Sequence, residues 1–478
     1  MTQCSPGEFL FQELAGREVV GRFDGGKVTS DGGGLLLREV EDKFRFIEQF
    51  AACFTDYRDP DSTEHPLIDL VKQRVFGLCL GYEDLNDHDQ LRHDPLLALL
   101  VGKKDPLGND RLRERDRGKA LAGKSTLNRL ELTPVRANED SRYKKIVAHL
   151  DRMQQFFVEV FLQQHALPPP RIILDVDATD FPVHGDQLGA FFHGHYDSYC
   201  YLPLYIFCGD HPLLALLRPS NIDAGTGLLK HLERIVARIR EAWPQVQIIV
   251  RGDSGFCRDY LMGWCEANGV DYLFGLAKNN RLLKLLAAEM QQAQEGYQQT
   301  KQATRVFKDF RYRTLDSWRC ERRVVGKAEH LAKGPNPRFV VTSLTAEAVP
   351  AQTLYEEEYC GRGDMENRIK EQQLTLFADR VSCATMRANQ VRLCLATVAY
   401  IVMRALRQFG LAETEMAQAQ CDTMRVRLLK IGAVIRVTVR RIWLAFSEAY
   451  PWQELFRQVY AKVRALQPAA EPAVNGSG

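Results

Sequence analysis

The segment Arg171-Ile-Ile-Leu-Asp175-Val-Asp177-Ala-Thr179 constrains the fold of this chain more than any other. It follows Pro168-Pro169-Pro170, a run that forbids helix and stiffens the connection. A short apolar run bounded in this way predicts a buried strand over 172–176, and side-chain alternation puts Asp175 and Asp177 on one face of it. Carboxylates at the end of a buried strand lose solvation unless they bind a metal or share a proton, so they point to chemistry rather than packing.

The pattern downstream extends that strand into a fold. Strand-like runs occupy 201–208 and 213–217, an amphipathic helix spans about 227–243, and a strand at 247–250 leads into Arg251-Gly252-Asp253. A short helix near 260–267 and a strand near 272–276 complete the order. Three strands, a helix, then strand–helix–strand predicts an α/β chain with a ribonuclease H-like mixed-sheet core over 168–290. Alternating segments such as Arg305–Arg313 and Phe339–Ser343 predict a β-rich insertion over 291–350. Helical periodicity returns over 351–410, where Glu366 sits. Residues 1–167 read as mainly helical, with periodic stretches at 66–80, 95–101 and 142–164; 411–474 read as a basic helical region. The final Asn475-Gly-Ser-Gly478 reads as a disordered tail.

At 478 residues, two or three domains are expected. A net charge of +2 announces no global field for a polyanion, but its distribution is uneven. From Cys421 to Arg464 nine Lys and Arg stand against three acids, a pattern that suits either a polyanion contact or the solvated face of a helical domain. Twelve cysteines without one Cys-x-x-Cys pair argue against a zinc ribbon or redox dithiol and fit a reducing cytoplasm. The N-terminal sequence has no basic segment followed by an apolar core, so no signal peptide is expected. The most apolar helix, read as 391–403 and bounded by Arg392 and Arg404, is too short to cross a bilayer, so no membrane partner is expected.

Asp177 and Asp253 each close a predicted strand, and Glu366 lies in a predicted helix. Three carboxylates converging from such elements could hold two divalent cations about 4 Å apart for in-line attack on phosphorus. An all-oxygen donor set suits Mg²⁺, with Mn²⁺ able to substitute. Around Glu366, the residues Tyr359, Arg362, Lys370 and Gln373 recur at three- and four-residue steps and so share one helix face. An aromatic hydroxyl, two cations and an acid make a poor core face and a good grip on phosphate. The bland alternative is a salt-bridged exposed helix.

On these residues the chain resembles DDE-type insertion-sequence transposases, in the group whose catalytic helix carries Tyr-x-x-Arg-x-x-x-Glu-x-x-x-x-x-x-Lys. Tyr359, Arg362 and Glu366 match that spacing, while Gln373 stands where the family has Lys and Lys370 lies one turn earlier. Asp177-Ala-Thr179 matches the family's first acid, and Asp253 in Arg-Gly-Asp-Ser-Gly-Phe its second. The stretches His193-Gly-His-Tyr196, Tyr201–Tyr205 and Leu121–Glu131 look like one branch of the group. The resemblance implies a ribonuclease H-like core, an N-terminal DNA-binding region and Asp177, Asp253 and Glu366 as catalytic metal ligands. It further implies Tyr359, Arg362 and Lys370 on DNA phosphates, Mg²⁺ dependence and cut-and-paste chemistry on terminal inverted repeats. A homodimer acting on double-stranded element ends and target DNA, in the bacterial cytoplasm at the nucleoid, is the matching expectation.

Three other readings compete. Leu174-Asp175-Val-Asp177-Ala-Thr179 also resembles the haloacid dehalogenase phosphatase signature, with Asp175 as nucleophile and Asp177 as general acid/base. That scheme leaves the Tyr359–Gln373 helix and the basic C-terminal region without a role. A second alternative is a non-cleaving DNA-binding regulator derived from a transposase. Finally, Gly118-Lys-Ala-Leu-Ala-Gly-Lys124-Ser125 satisfies the spacing of a phosphate-binding loop, yet Arg111–Arg117 before it is too charged for the buried strand such a loop requires. His193 and His195 form a His-x-His with no partner at zinc spacing, so a structural or DNA contact is expected of them.

Overall fold

A computed structural model describes residues 7–468. The chain forms two units, Leu150–Thr397 and, separately, Met1–His149 with Val398–Gly478.

The Leu150–Thr397 unit is built on one nine-stranded sheet. Its strands are β1 (Arg171–Ala178), β2 (Leu204–Cys208), β3 (His211–Leu216), β4 (Gln247–Gly252), β5 (Asp271–Leu276), β6 (Thr304–Tyr312), β7 (Arg322–Leu331), β8 (Gly334–Pro335) and β9 (Arg338–Thr342). The order across the sheet is 3-2-1-4-5-9-7-6, with β8 paired to β7. The short β2–β3 connection makes an antiparallel pair, and β2 runs antiparallel to β1. β4 lies parallel to both β1 and β5. A parallel neighbour requires a long crossover, and the helix Leu228–Ala242 supplies the one between β3 and β4. Residues 304–342 pair onto β5 through β9 and so lengthen the same sheet.

Alternation decides what each face buries. Ile172, Leu174, Val176, Ile248 and Val250 point to one side, where Leu232, Ile235 and Ile239 of the crossover helix complete a core. Ile249, Leu273, Val325 and Val340 point to the other and pack with Ile173, Leu354 and Tyr355. Because Asp175 and Asp177 share parity with Ile173, they too face the second side.

The other unit is a helical assembly with small sheets. Its helices include Leu35–Phe44, Leu67–Leu80, Pro95–Val101, Lys124–Leu132 and Gln453–Ala465. Two details differ from the sequence reading. Within 142–164, Ile146–Ala148 is a strand antiparallel to Phe54–Asp56, and helix begins only at Leu150. Within 411–474, Ala433–Val437 and Ile442–Phe446 form an antiparallel hairpin instead of helix. Val434-Ile435-Arg436-Val437 is β-branched and alternating, and the turn closes by Thr438 N–H donating to Arg441 O at 2.9 Å.

The basic C-terminal segment is partly spent on structure. Arg425 donates to Cys79 O at 2.9 Å, Lys430 pairs with Asp31 at 2.6 Å and Arg464 with Glu39 at 3.0 Å. The apolar stretch at 391–403 lies within a longer helix, Met386–Gly410, which has the length and composition to cross a membrane, but 89% of its most apolar window is buried in the protein, as in a core helix. The tail 475–478 and the first six residues lie outside the described residues.

Candidate active site

The parallel register of β1 and β4 sets Arg251 opposite Asp175 and Gly252 opposite Val176, so Asp177 and Asp253 follow at adjacent strand ends. Gly252 is needed for that proximity, since a Cβ there would stand 2.7 Å from Val176 Cγ2. Asp253 ends its strand by capping the turn Ser254–Phe256, its Oδ1 accepting from Gly255 N–H at 2.8 Å.

Glu366 arrives from the helix Gly363–Leu376, and Arg362 ties it to the strand end. The guanidinium donates from Nη2 to Glu366 Oε1 at 2.6 Å and from Nη1 to Asp177 Oδ2 at 3.3 Å. Burial pushes the Asp177 carboxyl up to about 7; Arg362 opposes the rise, while the negative charges of Asp253 and Glu366 add to it. Burial works to discharge Arg362, but Asp177 and then Glu366 hold its guanidinium charged, above the ordinary range. The three acids and Arg362 therefore form one electrostatic cluster. The Asp177 side chain is 14% exposed and that of Glu366 42%, so the cluster is closed in at its Asp177 end and more open at Glu366.

The helix carrying Glu366 is not regular where the sequence reading assumed one face. Residues Leu354–Tyr359 wind as π-helix and Cys360–Arg362 as 3₁₀, before α-helix begins at Gly363. Tyr359 is thereby set over β5, where Gly275 makes room: a Cβ at 275 would lie 2.5 Å from the Tyr359 hydroxyl. Burial raises the Tyr359 hydroxyl above its ordinary range; Arg362 opposes and Asp253 reinforces. Lys370 is exposed and makes no bond among the described residues, so it does not join the cluster. Gln373 donates to Asp180 O at 3.3 Å instead, just past the end of β1.

Sequence reasoning assigned no role at this site to Tyr196. Its hydroxyl donates to Ala178 O at 3.3 Å and is pushed up to about 12, by burial first and then by Asp180, Asp177 and Asp253. His193 and His195 pack their rings against Tyr196. A tyrosine following a His-x-His gave no signal of its own.

Asp175 has a different employment. It is buried and takes both donors of Arg251 side-on, Nε at 2.5 Å and Nη2 at 2.8 Å. Arg251 also donates to the Glu358 carbonyl. A carboxylate committed in this way lacks the free oxygen that an aspartyl-phosphate nucleophile requires, which removes the phosphatase reading. The loop-like segment 118–125 follows a short 3₁₀ turn, not a strand, and Lys124 bonds Asn86 and Asp89.

Among the described residues, no group of three His, Cys, Asp or Glu side chains stands at metal-holding spacing. Arg362 lies between Asp177 and Glu366. The donor chemistry nonetheless fits a hard divalent cation: the acids offer only carboxylate oxygens, and Asp177, raised first by burial, is raised further by the charges of Asp253 and Glu366.

Over residues 11–468 the sequence matches the family described as transposase DDE domain group 1. The chain belongs to that family. Membership makes it, by family, a DNA transposase. No curated protein matches it. Among solved structures it resembles piggyBac transposase in a synaptic complex with hairpin DNA, at a TM-score of 0.38 and 10% identity over 94% of this chain and 87% of that one.

Proposed function

We propose that this transposase cleaves and joins DNA at the terminal inverted repeats of an insertion sequence, using Asp177, Asp253 and Glu366 on a ribonuclease H-like core. The observation that carries the reading is the Arg362 bridge, which couples Asp177 at a strand end to Glu366 on a helix. The strand order 3-2-1-4-5, with β4 and β5 parallel to β1, supports the choice of core.

Asp177, Asp253 and Glu366 would hold Mg²⁺ or Mn²⁺, which when bound supplies Lewis-acid activation of the attacking oxygen and stabilisation of the leaving one. The chain's own side chains account for the rest. Arg362 is the cation that meets a scissile phosphate, since its guanidinium is kept charged and sits between the acids. Tyr359, wedged over Gly275, fixes the height of Arg362 above β5 and carries a hydroxyl that stays protonated as a donor. Lys370, exposed one turn beyond Glu366, takes a phosphate further along the strand. Hydrolysis frees a 3′-hydroxyl, which then attacks a second strand. Cutting both ends of an element requires two such sites, so a homodimer on paired ends in the bacterial nucleoid follows from the same reading. The regions 1–167 and 411–474 serve to hold the DNA.

The test incubates the purified chain with a labelled duplex carrying the element's own end, in Mg²⁺, in Mn²⁺ and in EDTA. Nicks bearing 3′-hydroxyls in either metal and none in EDTA are expected. Tight binding to the end with no nick in either metal would replace this reading by that of a non-cleaving regulator.

A further inference from the structure

The unit made of Met1–His149 and Val398–Gly478 contains a cleft of about 600 Å³ whose walls carry eight Lys and Arg against four carboxylates. Those carboxylates are already engaged. Glu64 forms an ion pair with Arg111 at 2.7 Å and accepts from the Leu112 backbone N–H at 3.0 Å, Asp89 accepts from the Lys124 backbone N–H at 3.1 Å, and Asp59 from the Ser62 hydroxyl at 2.6 Å. Asp116 lies 3.7 Å from Lys119.

Two half-buried guanidinium groups on the walls have no such partner. Arg92 Nε is buried without an acceptor, and among the described residues no hydrogen bond or ion pair reaches the guanidinium of Arg92 or of Arg129. Burial, and then the charge of Arg58, push Arg129 below the ordinary range of its guanidinium. Arg58 itself is spent on Asp56, through Nε at 2.8 Å and Nη2 at 2.7 Å. His65, 6% exposed at the wall, is pushed down to about 3 by burial and by Arg111, so as a neutral ring it accepts from Arg111 Nη1 at 2.6 Å. Like charges crowded around unpaired donors cost the empty protein stability, and an oxyanion is the group that relieves them. The first turn of the helix Lys124–Leu132, whose first backbone N–H already donates to Asp89, sets Ser125 and Thr126 on the same wall.

We propose that this cleft is a phosphate clamp, in which Arg92 and Arg129 grip the backbone of double-stranded DNA with Ser125 and Thr126 as hydroxyl donors. It rests on the reading that the chain acts on DNA. Phosphodiesters in a row are favoured over a free phosphate because, with Arg58 matched by Asp56, the walls still carry three positive charges in excess, more than the two that one phosphate neutralises.

The experiment uses the full chain in EDTA, where no strand is cut, and a fluorescein-labelled generic duplex of about 30 bp, titrated at roughly 50 to 200 mM KCl. Arg92→Gln and Arg129→Gln should each flatten the slope of log K against log [KCl] by about 0.9, whereas Arg92→Lys and Arg129→Lys should keep it. Unchanged slopes in both Gln variants would overturn the clamp. So would a Gln variant that unfolds, because its guanidinium would then be part of the fold. Inorganic phosphate that raises the Tm of wild type but of neither Gln variant, with duplex slopes unmoved, would assign the cleft to a small phosphate instead. Loss of nicking in Mg²⁺ with the slope changes intact would defeat the catalytic reading alone; the converse would defeat the clamp alone.

Discussion

Two aspartates stand two residues apart on β1, facing the same side, and their surroundings separate them. Asp175 is closed off by the side-on pair with Arg251, while Asp177 meets Arg362 at longer range and the charges of two other acids. Breaking a buried ion pair by removing one partner strands the other charge, so Arg251→Ala should cost about 3–5 kcal/mol in a urea titration. A cost below about 1 kcal/mol would mean Asp175 is not held by that arginine. Gly275 is the other sensitive residue. An alanine methyl would stand 2.5 Å from the Tyr359 hydroxyl and 3.0 Å from the Ser254 backbone nitrogen, and the backbone neighbour cannot give way. Gly275→Ala should therefore lose at least about tenfold in nicking, with a stability cost of about 1–3 kcal/mol. Nicking at the wild-type rate would show that Tyr359 does not set the height of Arg362. Asp177, Asp253 and Glu366 could be singled out as candidates because each sits in a local pattern, a strand end or a helical spacing. The Asp175–Arg251 pair, Gly275 and Tyr196 were not, because their meaning comes from strands that meet only in the sheet.

At the scale of elements, periodicity found most of what it could see. The strands β1 to β5 and the crossover helix obey the apolar alternation and the three- and four-residue steps of the sequence. Irregular helix escapes such a reading, since the π-helical turn at Leu354–Tyr359 leaves composition unchanged and only rotates the helix beyond it. The hairpin Ala433–Val437/Ile442–Phe446 was missed for another reason: its flanking charges fit helical spacing equally well. An element-level test lies in the junction of Leu35–Phe44 with Phe46–Ala51. There the buried Glu41 carboxylate accepts from the backbone N–H groups of Ile47 and Glu48, both at 3.0 Å, capping the second helix. Burial pushes Glu41 up to about 7 despite those bonds. A raised carboxyl binds its proton in the folded state while the unfolded chain has lost it, so its contribution falls as pH rises from about 4.5 to 7 and stays low above. Glu41→Gln, which keeps an acceptor and cannot ionise, should gain on wild type between about pH 5 and pH 8. The shift in pKa caps that gain at roughly 3 kcal/mol. Urea titrations of both proteins at the two pH values check it, and an equal difference at both would contradict it.

For the whole molecule, the decisive feature is that Val398–Gly478 folds with Met1–His149, although 248 residues of the other unit intervene between 149 and 398. A reading that runs along the chain sees contiguous regions and cannot detect this return, which is made by tertiary packing, by ion pairs such as Lys430 with Asp31, and by the pairing of Ala433–Val437 with Lys27–Thr29. The terminal helix Gln453–Ala465 buries Leu455, Val459 and Val463, and Gly410 lies so close that a Cβ there would come within 2.9 Å of Val459. Each such side chain contributes about 1.5–3 kcal/mol, a sum comparable to the net stability of a domain. A chain ending at Tyr450 should therefore lose the cooperative thermal transition of that unit, and an unchanged Tm would contradict the packing.

The central claim is that three carboxylates, and not the Asp175–Asp177 pair, carry phosphoryl chemistry. Its most direct measurement is nicking of the element's end in Mg²⁺ by wild type, Asp177→Ala, Asp253→Ala and Glu366→Ala, with duplex affinity measured alongside and a generic phosphomonoester given to the same preparations. Nicking abolished in all three variants at unchanged affinity, with no phosphomonoester turnover in any, is the expected result. Nicking retained by any one of them, or phosphomonoester turnover indifferent to Glu366, would contradict it.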